Sequence, residues 1–271
     1  MTATGFRPAG LITLTTDFGL ADPFVGIMKG RILGRLPGAT LVDITHDVPP
    51  QRADLGGFWL GQSWREFPPG TVHVAVVDPG VGTGRRVLLA ETGEHCFLGP
   101  DNGLLAEALR GTRATWRSMD PRVGEHACEG RLSNTFHGRD LFAPLAAELA
   151  SGRLDVVEFG PLADPLDPAP LPTACAGADG IEGHILLADR FGNLVSNIGA
   201  GLLDTLDRPI AHAGGRSLPL VPTYAAAAPG SAVAVINAFN LLELAVVGGR
   251  ADAILGVGPG EGLRVRDGSR T

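Results

Sequence analysis

Polar residues that could do chemistry fall where apolar runs of the chain break off. Asp17 ends one such run in TTDFG, Asp43 and Asp47 bracket a second, and Asp78 ends a third in VVDPGVGTGRR. After Asp78 come three glycines at alternate positions, then Arg85 and Arg86. A polar stretch over residues 133–140, SNTFHGRD, adds His137, Arg139 and Asp140. Carboxylates, a permanent cation and an imidazole are the groups that handle water, a small anion or a metal ion. Two chemistries are open on residue type alone. One is a metal site built from Asp17, Asp78 and His137; the other is metal-free activation of water or a small anion. Arg85 weighs toward the second, because a fixed cation repels a metal ion. Plainer readings stand beside both: Asp78 as a strand-end turn residue and His137 as a loop hydrogen-bonding residue.

These groups need elements to carry them. Residues 74–77 are β-branched or small and suit a buried strand of a parallel sheet. Asp78 would then lie at the carboxyl end of a strand, where open α/β sheets bind ligands. Residues 11–16 and 39–45 read as strands ending near Asp17 and Asp47. Pro23 suits a helix start, and Phe24, Ile27, Met28, Ile32, Leu33 and Leu36 form its expected apolar face. Residues 52–67 read as a second helix. Strands are expected at 87–90 and 96–98, with a turn at Gly93, and a short helix at 104–109. Asp140 is expected to cap a helix over 141–149. Alternating strands and helices predict a central, mostly parallel sheet. Around 161–172 prolines accumulate, as in a stiff linker. Beyond it strand signals dominate: a hairpin over 184–197 turning at Gly192-Asn193, then strands at 217–221, 232–236, 241–247, 253–257 and 262–265. The expected fold is α/β, with an N-terminal α/β domain (8–160), a linker (161–178) and a smaller C-terminal antiparallel β-barrel-like domain (179–271).

Composition narrows the function. The 271 residues are 44% hydrophobic, enough for a large core, and the net charge is -7. An acidic chain is a poor match for nucleic acid, whose phosphates need a basic face. Lys29 is the only lysine and no P-loop GK[ST] occurs, which removes most lysine and nucleotide-triphosphate chemistry. Cys96, Cys128 and Cys175 are odd in number and far apart, forming neither a zinc pattern nor a disulfide framework. No signal peptide and no bilayer-spanning apolar run is read from the sequence, so a cytoplasmic location without membrane or nucleic-acid partners is expected.

TTDFG, HDV, VVDPGVGTGRR, GPDNGLL, SNTFHGRDLFAPLAA and DRFGNLVSNI occur in this order. Together they resemble the S-adenosyl-L-methionine (SAM) hydrolases, also called SAM hydroxide adenosyltransferases, relatives of the fluorinating and chlorinating SAM enzymes. The resemblance runs through most of residues 11–257. It implies an α/β domain joined to a barrel-like domain. It also implies a homotrimer whose sites lie between the N-terminal domain of one subunit and the C-terminal domain of its neighbour. The implied reaction is SAM plus water to adenosine and L-methionine, with no cofactor and no metal. Matched residue by residue, Asp78, Arg85 and His137 correspond to the catalytic triad, and Asp17 to the aspartate that holds the ribose hydroxyls. Asp189 and Asn193 correspond to residues at the methionine end and the ribose. Gly138, Phe239, Glu243 and Val247 complete the implied substrate-binding set. Halogenating relatives carry a non-acidic residue in place of Asp78 and a serine in place of Gly138, so the resemblance is to the hydrolytic branch.

Two departures stand out. The serine that would bind the methionine carboxylate is Ala238, and an Asn-Asn-Gly that helps seat adenine is Val247-Gly248-Gly249. Loss of one hydrogen bond to a charged group costs roughly 1.5–3 kcal/mol. The alternatives to hydrolysis are a metal-dependent phosphoesterase using Asp17, Asp78 and His137, a non-catalytic SAM or adenosine binder, and a halogenase.

Overall fold

The computed structural model describes residues 5–130, 132–168 and 171–269. The chain divides into two compact units at the 170/171 boundary. Residues 169 and 170 of the expected linker lie outside the described residues.

The N-terminal unit is built on a six-stranded sheet. Its strands are β1 (Leu11–Thr16), β2 (Thr40–Thr45), β3 (Val72–Val76), β4 (Val87–Glu91), β5 (Cys96–Pro100) and β6 (Thr115–Ser118), in the order β2-β1-β3-β5-β4-β6. The pairs β2–β1, β1–β3 and β3–β5 are parallel, while β4 runs antiparallel to both its neighbours. The β3 strand is buried at all five positions, because both faces of the sheet are covered. On one face, Ile12, Leu14, Val72, Val74 and Val76 form a single core. Joining it are Met28 and Ile32 of α1 (Phe24–Arg35) and Leu145 and Leu149 of α5 (Ala143–Ala150). Against the other face lie α2 (Ala53–Ser63) and α3 (Leu104–Ala108). These two helices touch through glycine: a Cβ added at Gly57 would sit 2.5 Å from the Leu104 carbonyl oxygen.

Several expectations change. The buried stripe of α1 is Val25, Met28 and Ile32, whereas Phe24, Ile27 and Leu33 are each more than a third exposed. Those three fall outside the roughly 100°-wide stripe that a helix buries. Asp140 does not cap a helix. It lies inside a single π-helical turn, Gly138–Phe142, that leads directly into α5. The sequence reading also passed over β6 and α4 (Pro121–Cys128), the latter capped by the Asp120 carboxylate accepting from Arg122 N–H.

The C-terminal unit is an eight-stranded, antiparallel, nearly closed sheet. It comprises β7 (Cys175–Gly177), β8 (Gly180–Ala188), β9 (Leu194–Gly199), β10 (Pro209–Ala213), β11 (Arg216–Pro219), β12 (Ala232–Ile236), β13 (Leu241–Val246) and β14 (Gly262–Asp267). The order is β11-β10-β14-β8-β9-β13-β12, with β7 beside β8. A bridge between Leu220 and Ala234, just past the end of β11, brings the two ends of the path together. A short helix, α6 (Ala200–Leu203), follows β9. The strand expected over 253–257 does not form: the stretch begins inside a helical turn, α7 (Ala251–Ile254), and continues without regular structure. The start of α7 is tied down by Asp252 N–H donating to the Gly192 carbonyl at 2.9 Å; a short apolar run has no periodicity long enough to separate helix from strand. All three cysteines are unpaired. No helix among the described residues is long and apolar enough to cross a membrane.

Candidate active site

The tip of β3 is held from two sides. Asn102 Nδ2 donates to the Val77 carbonyl at 2.8 Å, so the GPDNG segment fixes the strand where it ends. Beyond it, Val81 N–H donates to the Asp78 carbonyl, and Thr83 N–H and Oγ1 both donate to the Gly80 carbonyl. These turns fold the chain back so that Arg85 meets Asp78. Arg85 Nε lies 2.8 and 2.7 Å from the two Asp78 carboxylate oxygens, and Nη2 also donates to Oδ2. Nη2 further donates to His137 Nδ1 at 2.9 Å. One guanidinium therefore grips both other members of the cluster. Its Nη1 has no hydrogen-bond partner among the described residues. The side chains of Arg85 and Asp78 are 9% and 4% exposed. The Phe142 ring packs against the guanidinium, 5.6 Å from its centroid.

Because guanidinium has only donors, Nδ1 of His137 must be the acceptor, and the neutral ring carries its proton on Nε2. Burial and then the Arg85 charge push the His137 pKa below its ordinary value, while Asp78 and Asp140 pull the other way. Gly138 is tightly enclosed: an added Cβ would lie 3.1 Å from both Met28 Sδ and the Phe136 ring and 3.3 Å from the Phe18 ring. Phe18, Phe24 and Phe136 pack edge to face around this point.

Asp17 stands at the neighbouring strand tip. Its Oδ2 accepts the backbone N–H of Gln51 at 2.9 Å, and Gln51 has a φ of 66°. The third acidic strand end does not join. Asp43 pairs with Lys29 at 2.6 Å and lies 3.1 Å from His46 Nε2, and Asp47 is exposed. Arg86 is likewise committed, its Nε to Asp101 at 2.7 Å and its Nη2 to the Asp164 carbonyl.

In the C-terminal unit, Asp189 and Asn193 close the β8–β9 hairpin. Asp189 Oδ1 accepts Asn193 N–H at 2.8 Å and Oδ2 faces Asn193 Nδ2 at 3.2 Å. Glu243 is 4% exposed, and both its oxygens are taken. Tyr224 Oη donates to Oε1 at 2.6 Å and Asn237 Nδ2 to Oε2 at 3.2 Å. Asn237 Oδ1 in turn accepts from Phe239 N–H at 2.9 Å and Leu241 N–H at 3.1 Å, shaping the turn that presents Phe239. The Tyr224 pKa is pushed up by burial, the bond to Glu243, and the Glu243 and Asp189 charges, so Asp189 belongs to the same electrostatic neighbourhood. Val247 uses its backbone within the unit: N–H to Ser231 and C=O from Gly230.

Residues 12–160 match the SAM hydroxide adenosyltransferase N-terminal domain and residues 183–264 match the C-terminal domain of the same name. The chain belongs to the SAM hydroxide adenosyltransferase family. An (R)-S-adenosyl-L-methionine hydrolase of Salinispora arenicola is 40% identical, with 95% of this chain and 98% of that one covered. Its counterpart in Thermus thermophilus is 39% identical, covering 93% and 96%. A fluorinase of Nocardia brasiliensis is more distant, at 29% identity over 90% of this chain and 92% of its own. An uncharacterized conserved protein of Thermotoga maritima superposes with a TM-score of 0.86 at 28% identity, covering 94% of this chain and 99% of its own.

Within this adenosyltransferase fold, sequence reasoning missed Tyr224 and Asn102. Tyr224 is the only tyrosine in the chain, yet no motif surrounds it. Asn102 lay inside the GPDNG turn, where turn chemistry alone explained it.

Proposed function

We propose that this chain hydrolyses SAM to adenosine and L-methionine by direct attack of water at the ribose C5′ carbon. The observation that carries the reading is the Arg85 fork: one buried cation binding Asp78 and His137 while its Nη1 keeps N–H groups uncommitted. A sulfonium leaves as a neutral thioether, so no acid is needed to help it go. The difficulty is the nucleophile, since water is weak and hydroxide is scarce at neutral pH. Arg85 Nη1 is suited to donate to an oxygen that gains negative charge. That charge and the sulfonium's neutralise each other in the transition state, so a site with little water favours it over the separated ions. Asp78 orients the oxygen. With Nδ1 of His137 already accepting from Arg85, Asp78 is the remaining base for the departing proton. Asp17 accepting the ribose hydroxyls fixes C5′ for in-line displacement. Asp189 and Asn193 serve the methionine end and the ribose, Phe239 offers an apolar surface, and Gly138 sits where a serine Cβ would crowd Met28, Phe136 and Phe18.

The phosphoesterase alternative asks His137 Nδ1 for a lone pair that Arg85 occupies and sets a divalent cation beside the Arg85 guanidinium, which favours the water reading. The relatives' name specifies the (R) sulfonium epimer, and we extend that preference to this chain. We also propose a homotrimer; the exposed Phe24, Ile27 and Leu33 on α1 supply apolar surface that such an assembly would cover. Light scattering on the purified chain measures it.

The test of the activity is incubation with each SAM epimer in heavy-oxygen water and chelator-treated buffer. Adenosine labelled at its 5′ oxygen, from the (R) epimer, is the expected result. Label in methionine, or activity that returns only with an added divalent cation, overturns the mechanism.

A further inference from the structure

The π-helical turn begins one residue after His137 and contains a carboxylate that the proposed chemistry does not use. Asp140 is 3% exposed, and both its oxygens are engaged. Oδ2 accepts Ser133 N–H at 2.8 Å and Arg139 Nη2 at 2.9 Å, and Oδ1 accepts Arg139 Nε at 2.7 Å. The bond to Ser133 joins the two ends of the 133–140 segment into a closed loop. Aspartate is a poor helix former, and burying a carboxylate is costly unless it is paired. Helix formation therefore gives no reason for this residue here, whereas π-helical turns are frequent at functional sites.

The closed loop carries two contacts that matter. His137 leaves its far end with Nδ1 facing Arg85. Nearer its start, the Asn134 carbonyl covers Gly82 so closely that a Cβ there would lie 2.2 Å from the oxygen. Gly82 has a φ of 77° and belongs to the turn that brings Arg85 back to Asp78. The loop is therefore packed on the segment that holds the other two members of the cluster.

We propose that Asp140 is a positioning residue for His137: by closing the 133–140 loop it keeps the imidazole turned with Nδ1 toward the Arg85 guanidinium. The inference rests on the reading of Asp78, Arg85 and His137 as the water site, and Asp140 itself touches no reacting atom. The groups that act on the His137 ring are Arg85, Asp78 and Asp140, together with the Ser133 backbone. Arg139, over the Phe136 ring at 5.4 Å, pairs with Asp140. Asp78 and Asp140 both favour the protonated ring. Removing the charge at 140 therefore moves the His137 titration to lower pH, and a ring no longer held with Nδ1 toward Arg85 also changes which nitrogen carries its proton.

The test uses the full chain with Asp140→Asn, which keeps the shape and loses the charge, and Asp140→Glu, which keeps the charge and changes the reach. Steady-state SAM hydrolysis is measured beside nitrogen NMR of histidine-labelled protein, with the His137 signals identified by their loss in His137→Asn. Asp140→Asn is expected to lower kcat roughly 10- to 100-fold, the cost of a small misplacement, with KM within about twofold and the His137 titration shifted down. Asp140→Glu should lower kcat while moving the titration less, and it carries the test if Asp140→Asn does not fold. Wild-type kcat in Asp140→Asn, or a loss of kcat with unaltered His137 signals, overturns the proposal. If the wild-type chain does not hydrolyse SAM, the functional reading falls instead. The NMR arm then still decides whether Asp140 fixes the ring.

Discussion

The two polar clusters of this chain are built on opposite plans. At the tip of β3 the groups are ionic and converge on one cation, with Asp78 and His137 bound to the same guanidinium and the Arg85 and Asp78 side chains largely buried. In the C-terminal unit the network runs outward instead, from buried Glu243 through Tyr224 and Asn237 to Phe239. Tyr224, Phe239 and Phe191 are themselves substantially exposed, Phe191 by 75%. The first plan suits a developing charge; the second suits recognition of a flat or amphipathic ligand by aromatic surfaces and a carboxylate. On the proposed function the chemical step falls to the N-terminal cluster and the methionine end to the C-terminal one, so substitutions in the two should fail differently.

The largest effect is expected at Arg85. Arg85→Gln removes the donor to the nucleophile and should lower kcat by about 100- to 1,000-fold. It also leaves Asp78 buried without its partner, which costs about 3 kcal/mol of stability. Arg85→Lys separates charge from geometry. A lysine keeps the cation but cannot hold a carboxylate and an imidazole while presenting further donors, so it should rescue stability more than rate. A lysine variant with wild-type kcat would show that charge alone suffices.

Acid should expose the next difference. His73 is fully buried in the N-terminal unit, bonded to Thr13 Oγ1 at 2.8 Å and stacked on Phe97, and burial lowers its pKa to about 3. In the unfolded chain it titrates near 6.5. Between these values the unfolded state binds more protons, so stability falls as pH falls, by up to about 1.4 kcal/mol per pH unit and about 5 kcal/mol in all. All three tryptophans, Trp59, Trp64 and Trp116, belong to this unit. Their fluorescence during denaturant titrations at several pH values reports the loss directly. A tryptophan transition independent of pH between 6.5 and 4 would contradict it. His137 adds an acid limb to activity: its pKa is lowered from 6.5, so kcat should decline only at pH values below that.

Much of this contrast was legible in the sequence, and the limits have physical reasons. The β1 and β3 strands and their terminal Asp17 and Asp78 could be read because β-branched and apolar residues dominate both and each run ends sharply at a polar turn. The glycine-rich loop and its arginine could be read as a unit for the same reason. Asp140 was misread because an aspartate before an apolar helix looks like a cap, and the backbone geometry of a π-helical turn leaves no mark on residue order. Glu243 could be placed in the candidate set, but not beneath Tyr224. The two are 19 residues apart, and their pairing depends on how the barrel strands pack.

Recognition should be easier to damage without touching the chemical step. Asp189→Asn keeps the shape of the hairpin turn but removes the charge proposed to serve the methionine end. A charge-assisted hydrogen bond contributes roughly 1.5–3 kcal/mol, so KM should rise about tenfold or more while kcat stays within about threefold. A variant that loses kcat and keeps KM would place Asp189 with the chemistry and erase the division between the two clusters.

The smallest effect sharpens the same division. Both Glu243 oxygens are already engaged by Tyr224 and Asn237, so this residue is expected to shape the recognition surface without contacting the ligand. In Glu243→Gln one side-chain oxygen can still accept from Tyr224, but the amide nitrogen cannot accept from Asn237. KM should rise only a few-fold, because the bond lost shapes the surface and does not itself meet the ligand, with kcat unchanged. The chain's single tyrosine gives a second readout. Glu243 contributes to holding the Tyr224 phenol protonated above its usual range, and tyrosinate absorbs in the ultraviolet where no other residue of this chain titrates. In the variant the phenol should ionise at lower pH than in the wild-type chain. An unchanged tyrosine titration with a large rise in KM would mean that Glu243 meets the ligand itself, and that the C-terminal cluster is more directly engaged than its hydrogen bonds suggest.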